Sequence, residues 1–385
     1  MRPSYAKIAW NFLLLSPRLV KAILEISIER LFAGRARRLR ELTRADWLAH
    51  QLDLASGQIA SAKIEEAHTG TATRSRLEIE YSNAVEGASG PPSLFVKSTP
   101  GSFGATLFGV LFGLGGNEVS FYRRIRADLP VRAPQVVFAE GNSNHYVMLL
   151  EDLEGKGCDF QTLASRCSLE NARSIVSTLA RLHGHFWESP RFAADLAWVR
   201  RFETDRDYRL LDLVRQLSVP IAFEKYGSVL PDEIREVVPH LMDNYGRLEE
   251  KWAEGPRTLL HGDAHLGNMY FQAGEVGLLD WQVVQYGQGM RDVSYLLINS
   301  VEKDLRLAHQ EELIRLYLAG LSDLGIELDF ETAWRQYRLQ SVYAWIAGVV
   351  TAPSNFQGEA VVAAGLSRAS AAVLDLDAVD LIRKL

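Results

Sequence analysis

The chain has 385 residues, 47% hydrophobic, 23% charged and 10% aromatic, with a net charge of −6. That balance excludes wholesale disorder and a collagen-like chain, and the acidic total excludes a protein whose whole surface grips nucleic acid. The length calls for two domains or one large bilobed unit, and the two cysteines, Cys158 and Cys167, can build neither a disulfide framework nor a Cys-rich zinc site, which fits a reducing compartment.

Residues 1–40 hold nine Lys or Arg and two acids, a net +7 that leaves −13 for the remainder. The apolar run Ile8–Leu15 lies in this stretch, but its longest uncharged segment, 8–17, is ten residues. A spanning helix needs about 20. No small-residue cleavage site follows, so a secretory signal fits poorly. An amphipathic helix packed on the protein's own body is the preferred reading, with a helix lying on an anionic membrane surface as the alternative.

Residues 41–58 read as a helix capped by Thr43 and stopped by Gly57. Strands are expected at 59–67 and 76–81 around a polar turn, 68–75; Leu77, Ile79 and Tyr81 alternate with polar neighbours as a half-buried strand requires. A third strand, 93–97, precedes a Gly-rich apolar segment, 100–116, and a helix over 117–129 started by Asn117. Two more strands, 135–140 and 145–152, join at Gly141-Asn142. After Gly155-Lys156-Gly157 the pattern turns helical: 168–188 with Ser168 as cap, then 201–217, 220–228 and 231–254. A β island at 258–263, 269–272 and 276–281 interrupts, and helix resumes from Asp292 to the end.

The informative stretch is HGDAHLGNMYFQAGEVGLLDW, 261–281. It sets Asp263 and Asn268 on one loop and Asp280 at the end of the next strand. Two carboxylates and one amide offer hard oxygen donors, which suit Mg²⁺ completed by substrate phosphates. The spacing matches the kinase pattern of an Asp five residues before an Asn, followed by a metal-holding Asp. Such chemistry needs a strand Lys to neutralise phosphates and a helical Glu to hold it; Lys97 and Glu118 stand at those places.

On these residues the chain resembles the aminoglycoside phosphotransferase and choline kinase superfamily, and most closely its ecdysteroid-kinase-like branch. HGDAHLGN (261–268) is similar to the catalytic loop, LLDWQ (278–282) to the metal-binding segment, and GQGMRDVSYLL (287–297) to the next helix, with Asp292 at a structural position. LARLHGHFW (179–187) and ELTRADWL (41–48) also resemble family segments, so the match runs over about 41–350. The resemblance implies an α+β, protein-kinase-like bilobed fold: a small antiparallel β lobe with one helix (59–150), a hinge (151–157), a larger helical lobe (158–385) and an N-terminal extension (1–58). It implies that Asp263 accepts or orients the proton of a substrate hydroxyl and that Asn268 and Asp280 hold Mg²⁺. Lys97 would contact the phosphates of ATP and Glu118 would position it. His261 and His265 would shape the loop. Residues 150–154, with Glu151 and Leu153, would meet the adenine through their backbone. Thr69, Gly70 and Thr71 would cover the phosphates, with one glycine in residues 68–75 where protein kinases carry three.

The expected protein is a cytoplasmic small-molecule O-phosphotransferase with a hydroxylated substrate, using ATP and Mg²⁺ and binding no nucleic acid. No protein-kinase activation segment follows Asp280, which disfavours a protein substrate. Two other readings stand beside it: a catalytically silent nucleotide-binding scaffold, and a metal-dependent hydrolase built on His261, Asp263 and His265. His183 and His185 read as packing residues, and Trp281 as packing beside Asp280.

Overall fold

The structure, a computed structural model, describes residues 5–31, 39–82, 90–163, 165–201, 208–353 and 358–385. Arg2, Arg35, Arg37 and Arg38 of the basic opening lie outside the described residues. The chain divides into two compact units: Ser16–Cys158 with Leu278–Val283, and Met1–Leu15, Asp159–Gly277 and Val284–Leu385. Helix α1, Tyr5–Leu31, contributes to both. It buries Asn11, Leu15, Ala22 and Ile26, so it packs on the body through one face. No described helix is long and apolar enough to cross a membrane.

The first unit is built on a five-stranded antiparallel sheet. Helix α2, Ala45–Gln51, precedes strands β1 (Ile59–Thr69), β2 (Thr73–Tyr81) and β3 (Ser93–Ser98). Helices α3 (Phe103–Phe112) and α4 (Leu114–Arg124) follow, then β4 (Val136–Gly141) and β5 (Tyr146–Glu151). The strand order is β1-β2-β3-β5-β4. One core joins Leu42 and Leu48 to Leu77, Leu94, Val96 and Leu149 of the sheet. Central strands β3 and β5 are buried almost throughout, whereas β2 alternates as its sequence predicts.

Three expectations change here. Thr43 does not cap α2; its hydroxyl donates to the Arg40 carbonyl and Arg44 takes the cap position. The polar turn expected over 68–75 shrinks to 70–72, because the ladder runs on to Thr69↔Thr73 and the Gly70 amide donates to the Ala72 carbonyl at 2.9 Å. The Gly-rich segment, to which the sequence pattern assigns no element, is helical: Ser102 Oγ accepts the Ala105 amide at 3.2 Å, and buried Leu111 and Phe112 outweigh the helix cost of Gly104 and Gly109. Gly113, at φ 70°, ends α3 in the left-handed cap that glycine favours, and α4 begins at Leu114 rather than at Asn117.

The second unit opens with β6 (Asp159–Phe160) and α5 (Leu169–His185), capped by Ser168 as expected, its Oγ accepting the Asn171 amide at 3.1 Å. Of the residues expected as two helices, 201–217 and 220–228, those from 208 to 226 form one helix α6, Tyr208–Tyr226, with Pro220 inside it, and 202–207 lie outside the described residues. The pattern over 231–254 splits at Asn244 into α7 (Asp232–Asp243) and α8 (Tyr245–Trp252). The β island is present as β7 (Thr258–Leu260), β8 (Met269–Gln272), β9 (Glu275–Leu278) and β10 (Gln285–Gly287). The sheets are β6-β8-β9 and β10-β7. Five helices close the chain: α9 (Met290–Ser300), α10 (Lys303–Ser322), α11 (Phe330–Thr351), α12 (Glu359–Asp375) and α13 (Ala378–Arg383). Helix α9 packs on α11, and α10 on α5, through fully buried side chains such as Leu179, Leu296, Leu313 and Trp345.

Candidate active site

Strand register places Lys97 of β3 directly opposite Arg74 of β2. Two facing cations on an antiparallel pair repel, and acids from two other elements offset the repulsion. Lys97 Nζ lies 2.6 Å from Glu118 Oε2 and 2.8 Å from Asp280 Oδ1, and Arg74 Nη2 lies 3.2 Å from Asp280 Oδ2. Glu118 sits on α4, and Asp280 returns to this unit after β9. Asp280 holds φ at 59°, a left-handed conformation that Asp tolerates better than most residues. Its neighbours are pinned: Trp281 is fully buried and stacks on Phe121 at 4.1 Å, and Asn117 Nδ2 donates to the Gln282 carbonyl at 3.3 Å. Burial pulls the Lys97 ammonium toward neutrality, but the Asp280 and Glu118 charges outweigh it and leave its pKa raised. Burial raises Glu118 to about 7, with the Asp280 charge adding to the rise and Lys97 opposing it.

The catalytic-loop candidates stand in the second unit. Asp292, at the start of α9, accepts the consecutive amides of His261 (2.6 Å) and Gly262 (3.0 Å). Offering both amides to one carboxylate turns the chain sharply, and Gly262 takes φ +84°, which a side chain would strain. His183 Nε2 lies 3.3 Å from Asp292, and its Nδ1 lies 2.9 Å from the Tyr317 hydroxyl. A Cβ on Gly289 would come within 2.2 Å of that hydroxyl, so the brace requires glycine there. Beyond the brace, Asn268 Nδ2 donates to the Asp263 carbonyl and to its Oδ2, both at 3.0 Å. His265 Nε2 lies 3.6 Å from the same Oδ2. The Tyr295 hydroxyl is held well above its ordinary pKa by burial first and the Asp263 charge second. The Asp263 amide donates to His261 Nδ1 at 3.3 Å, which gives His261 a place in shaping the loop.

Lys97, Glu118 and Asp280 therefore come together in one unit, and Asp263 and Asn268 in the other. Glu151 spends its carboxylate on Lys156 Nζ (2.8 Å) and the Gln135 amide (3.0 Å), and Leu153 is buried. Gly70 and Thr71 lie in the tight β1–β2 turn that begins at Thr69. Sequence reasoning missed Arg74, which it placed in a loop; the small, buried Thr73 and Ser75 continue the β2 alternation and were the available signal. It also missed Tyr295 and the tie between His183 and Asp292. Asp280 and the Asn268 carbonyl, left over once the amide nitrogen serves Asp263, are hard oxygen donors of the kind Mg²⁺ takes. Among the described residues no group of three or more His, Cys, Asp or Glu gathers to hold a metal.

The fold is that of the kinase-like small-molecule phosphotransferases. A microcompartment-associated aminopropanol kinase superposes with a TM-score of 0.52 at 16% identity, over 82% of this chain and 91% of that one. A Ralstonia eutropha JMP134 protein named as an aminoglycoside phosphotransferase gives 0.51 at 14%, over 87% and 96%. The Plasmodium vivax ethanolamine kinase gives 0.51 at 11%, over 85% and 86%. The model of the ecdysteroid kinase-like family matches residues 210–330, in line with the resemblance seen in the motifs. No curated protein matches the chain by sequence.

Proposed function

We propose that the protein is an ATP- and Mg²⁺-dependent phosphotransferase acting on a hydroxyl group of a small molecule. The observation that carries this reading is the buried Lys97 ammonium held between Glu118 and Asp280 at 2.6 and 2.8 Å, the arrangement that presents a fixed positive charge to nucleotide phosphates. Lys97 is oriented by Glu118. Arg74, partly exposed beside Asp280, adds a second cation toward the phosphates. Asn268 and Asp280 would hold the Mg²⁺, which when bound neutralises charge on the phosphate oxygens. Asp263 orients the acceptor hydroxyl and takes its proton as the new O–P bond forms and the bond to the ADP oxygen breaks. Asn268 keeps the Asp263 carboxylate aimed. The backbone of residues 150–154 meets the adenine and the 69–71 turn covers the phosphates. The likeness to kinases named for aminopropanol and ethanolamine supports a small hydroxylated acceptor, and the two free cysteines, Cys158 and Cys167, support a cytoplasmic location.

The test is ADP release against a panel of amino alcohols, aminoglycosides and sterol-like alcohols. Asp263→Ala should lower acceptor-dependent turnover by at least about 100-fold while Mg-nucleotide binding by calorimetry persists. Wild-type ADP release that no acceptor stimulates would overturn the reading and leave the nucleotide-binding scaffold, and an Asp263→Ala variant as active as wild type would overturn the role given to Asp263.

A further inference from the structure

Helix α1 has two apolar sides. At about 100° per residue, the buried Asn11, Leu15, Ala22 and Ile26 fall on one side of the helix. Trp10, Leu13, Val20, Leu24, Ile28 and Leu31 fall within an arc of about 80° on the opposite side. Each of these six is more than half exposed, from 53% for Ile28 to 81% for Leu31. Scattered exposed apolar residues need no explanation, but a stripe running from Trp10 to Leu31 along one face does. The helix is not a spanning segment, because it is not long and apolar enough to cross a bilayer. Lys21 borders it with a side chain 75% exposed, its ammonium 3.8 Å from the half-exposed Glu25 carboxylate.

We propose that this face docks the protein on an anionic lipid bilayer, with α1 lying in the headgroup plane. Charge complementarity selects the occupant. Residues 1–40 carry +7 while the rest of the chain carries −13. Phosphatidylserine-type headgroups attract such a stretch, whereas pairing the stripe with a second copy of itself would bring two +7 segments together. Lys21 points the same way: a bilayer lets its stem lie along apolar chains and its ammonium reach the headgroups, while a helix–helix seam would bury it. Trp10, at one end of the stripe, is a side chain suited to the headgroup level.

The experiment is vesicle co-sedimentation of the full chain, with vesicles of phosphatidylcholine alone and of phosphatidylcholine with about one third phosphatidylserine. Binding should require the anionic lipid and weaken with salt. Leu24→Glu/Ile28→Glu should lower the partition coefficient about tenfold or more, with the melting temperature and ADP release in solution unchanged. Lys21→Glu, a milder change, should lower it by a smaller factor. Failure of the wild type to bind anionic vesicles, or equal binding by the Leu24→Glu/Ile28→Glu variant, would overturn the proposal. So would a wild-type dimer in sedimentation velocity that the same variant converts to monomer without any vesicle binding, which would assign the stripe to a protein seam. Asp263→Ala should bind vesicles like wild type, so loss of the kinase reading and loss of the docking face are separate outcomes.

Discussion

Two carboxylates buried to the same degree, Glu118 in the sheet-based unit and Asp292 in the helical unit, respond in opposite directions. Burial pushes both upward. Asp292 ends below its ordinary value because the His183 side chain and the Gly262 amide hydrogen-bond its charged form and the charges of His183 and His261 add to them. Glu118 ends raised to about 7 because the one ammonium beside it is shared with Asp280, whose charge adds to the rise. The difference separates two kinds of polar cluster. The Asp292 brace is complete in itself and fixes a loop. The Lys97 group divides its positive charge between two acids, so a further set of anionic oxygens can redistribute it without breaking the fold.

The largest test of that contrast is Asp292→Ala. Removing this acceptor leaves two buried amides and His183 without their partner, and should lower stability by about 3 kcal/mol or more. Urea denaturation would report it as a lower midpoint, with turnover lost as well because the 261–268 loop loses its anchor. A variant as stable as wild type would mean that the loop is held by something else. Lys97→Met comes next. It leaves Glu118 and Asp280 facing each other without the ammonium and should cost about 1–3 kcal/mol. Adding Glu118→Gln should restore part of that stability, since the uncompensated buried charge is gone, while ADP release stays at least about 100-fold down. Strictly additive losses in the double variant would show that the pair is not coupled.

How much of this was legible in the sequence follows from the range of the interactions. The 261–281 segment is local: Asp263, Asn268 and Asp280 announce themselves by spacing, and the β island has strands within or beside the expected ranges. Lys97 and Glu118 were legible only through the motif downstream, since a strand-end Lys and a first-turn Glu are ordinary by themselves. Arg74 was hidden because its role depends on register, on facing Lys97 across β2 and β3 with Asp280 between them. His183 looked like a packing residue. It is buried as expected, but its tie to Asp292 spans 109 positions in the chain, a distance that no local pattern reports. The helix pattern was misjudged around Pro220, where one helix replaces the expected two.

The smallest effect is the pH dependence, and it bears most directly on the contrast. Glu118 has a folded-state pKa raised from 4.5 to about 7. The folded protein therefore binds its proton more tightly than the unfolded chain. The resulting stability is fully present below the unfolded value and is lost as pH rises toward and through about 7. Asp292 has the opposite sign: its folded pKa lies below 3.8, so its contribution is present above the unfolded value and lost as pH falls through the folded one. Urea midpoints measured from about pH 5 to pH 8 should therefore decline for the wild type, and the decline should flatten in Glu118→Gln, which keeps the shape but cannot ionise. The acid-side loss should remain in that variant, because Asp292 is untouched. Parallel curves for wild type and Glu118→Gln would show that the ammonium satisfies Glu118 in full, and that the Lys97 group is as closed as the brace around Asp292.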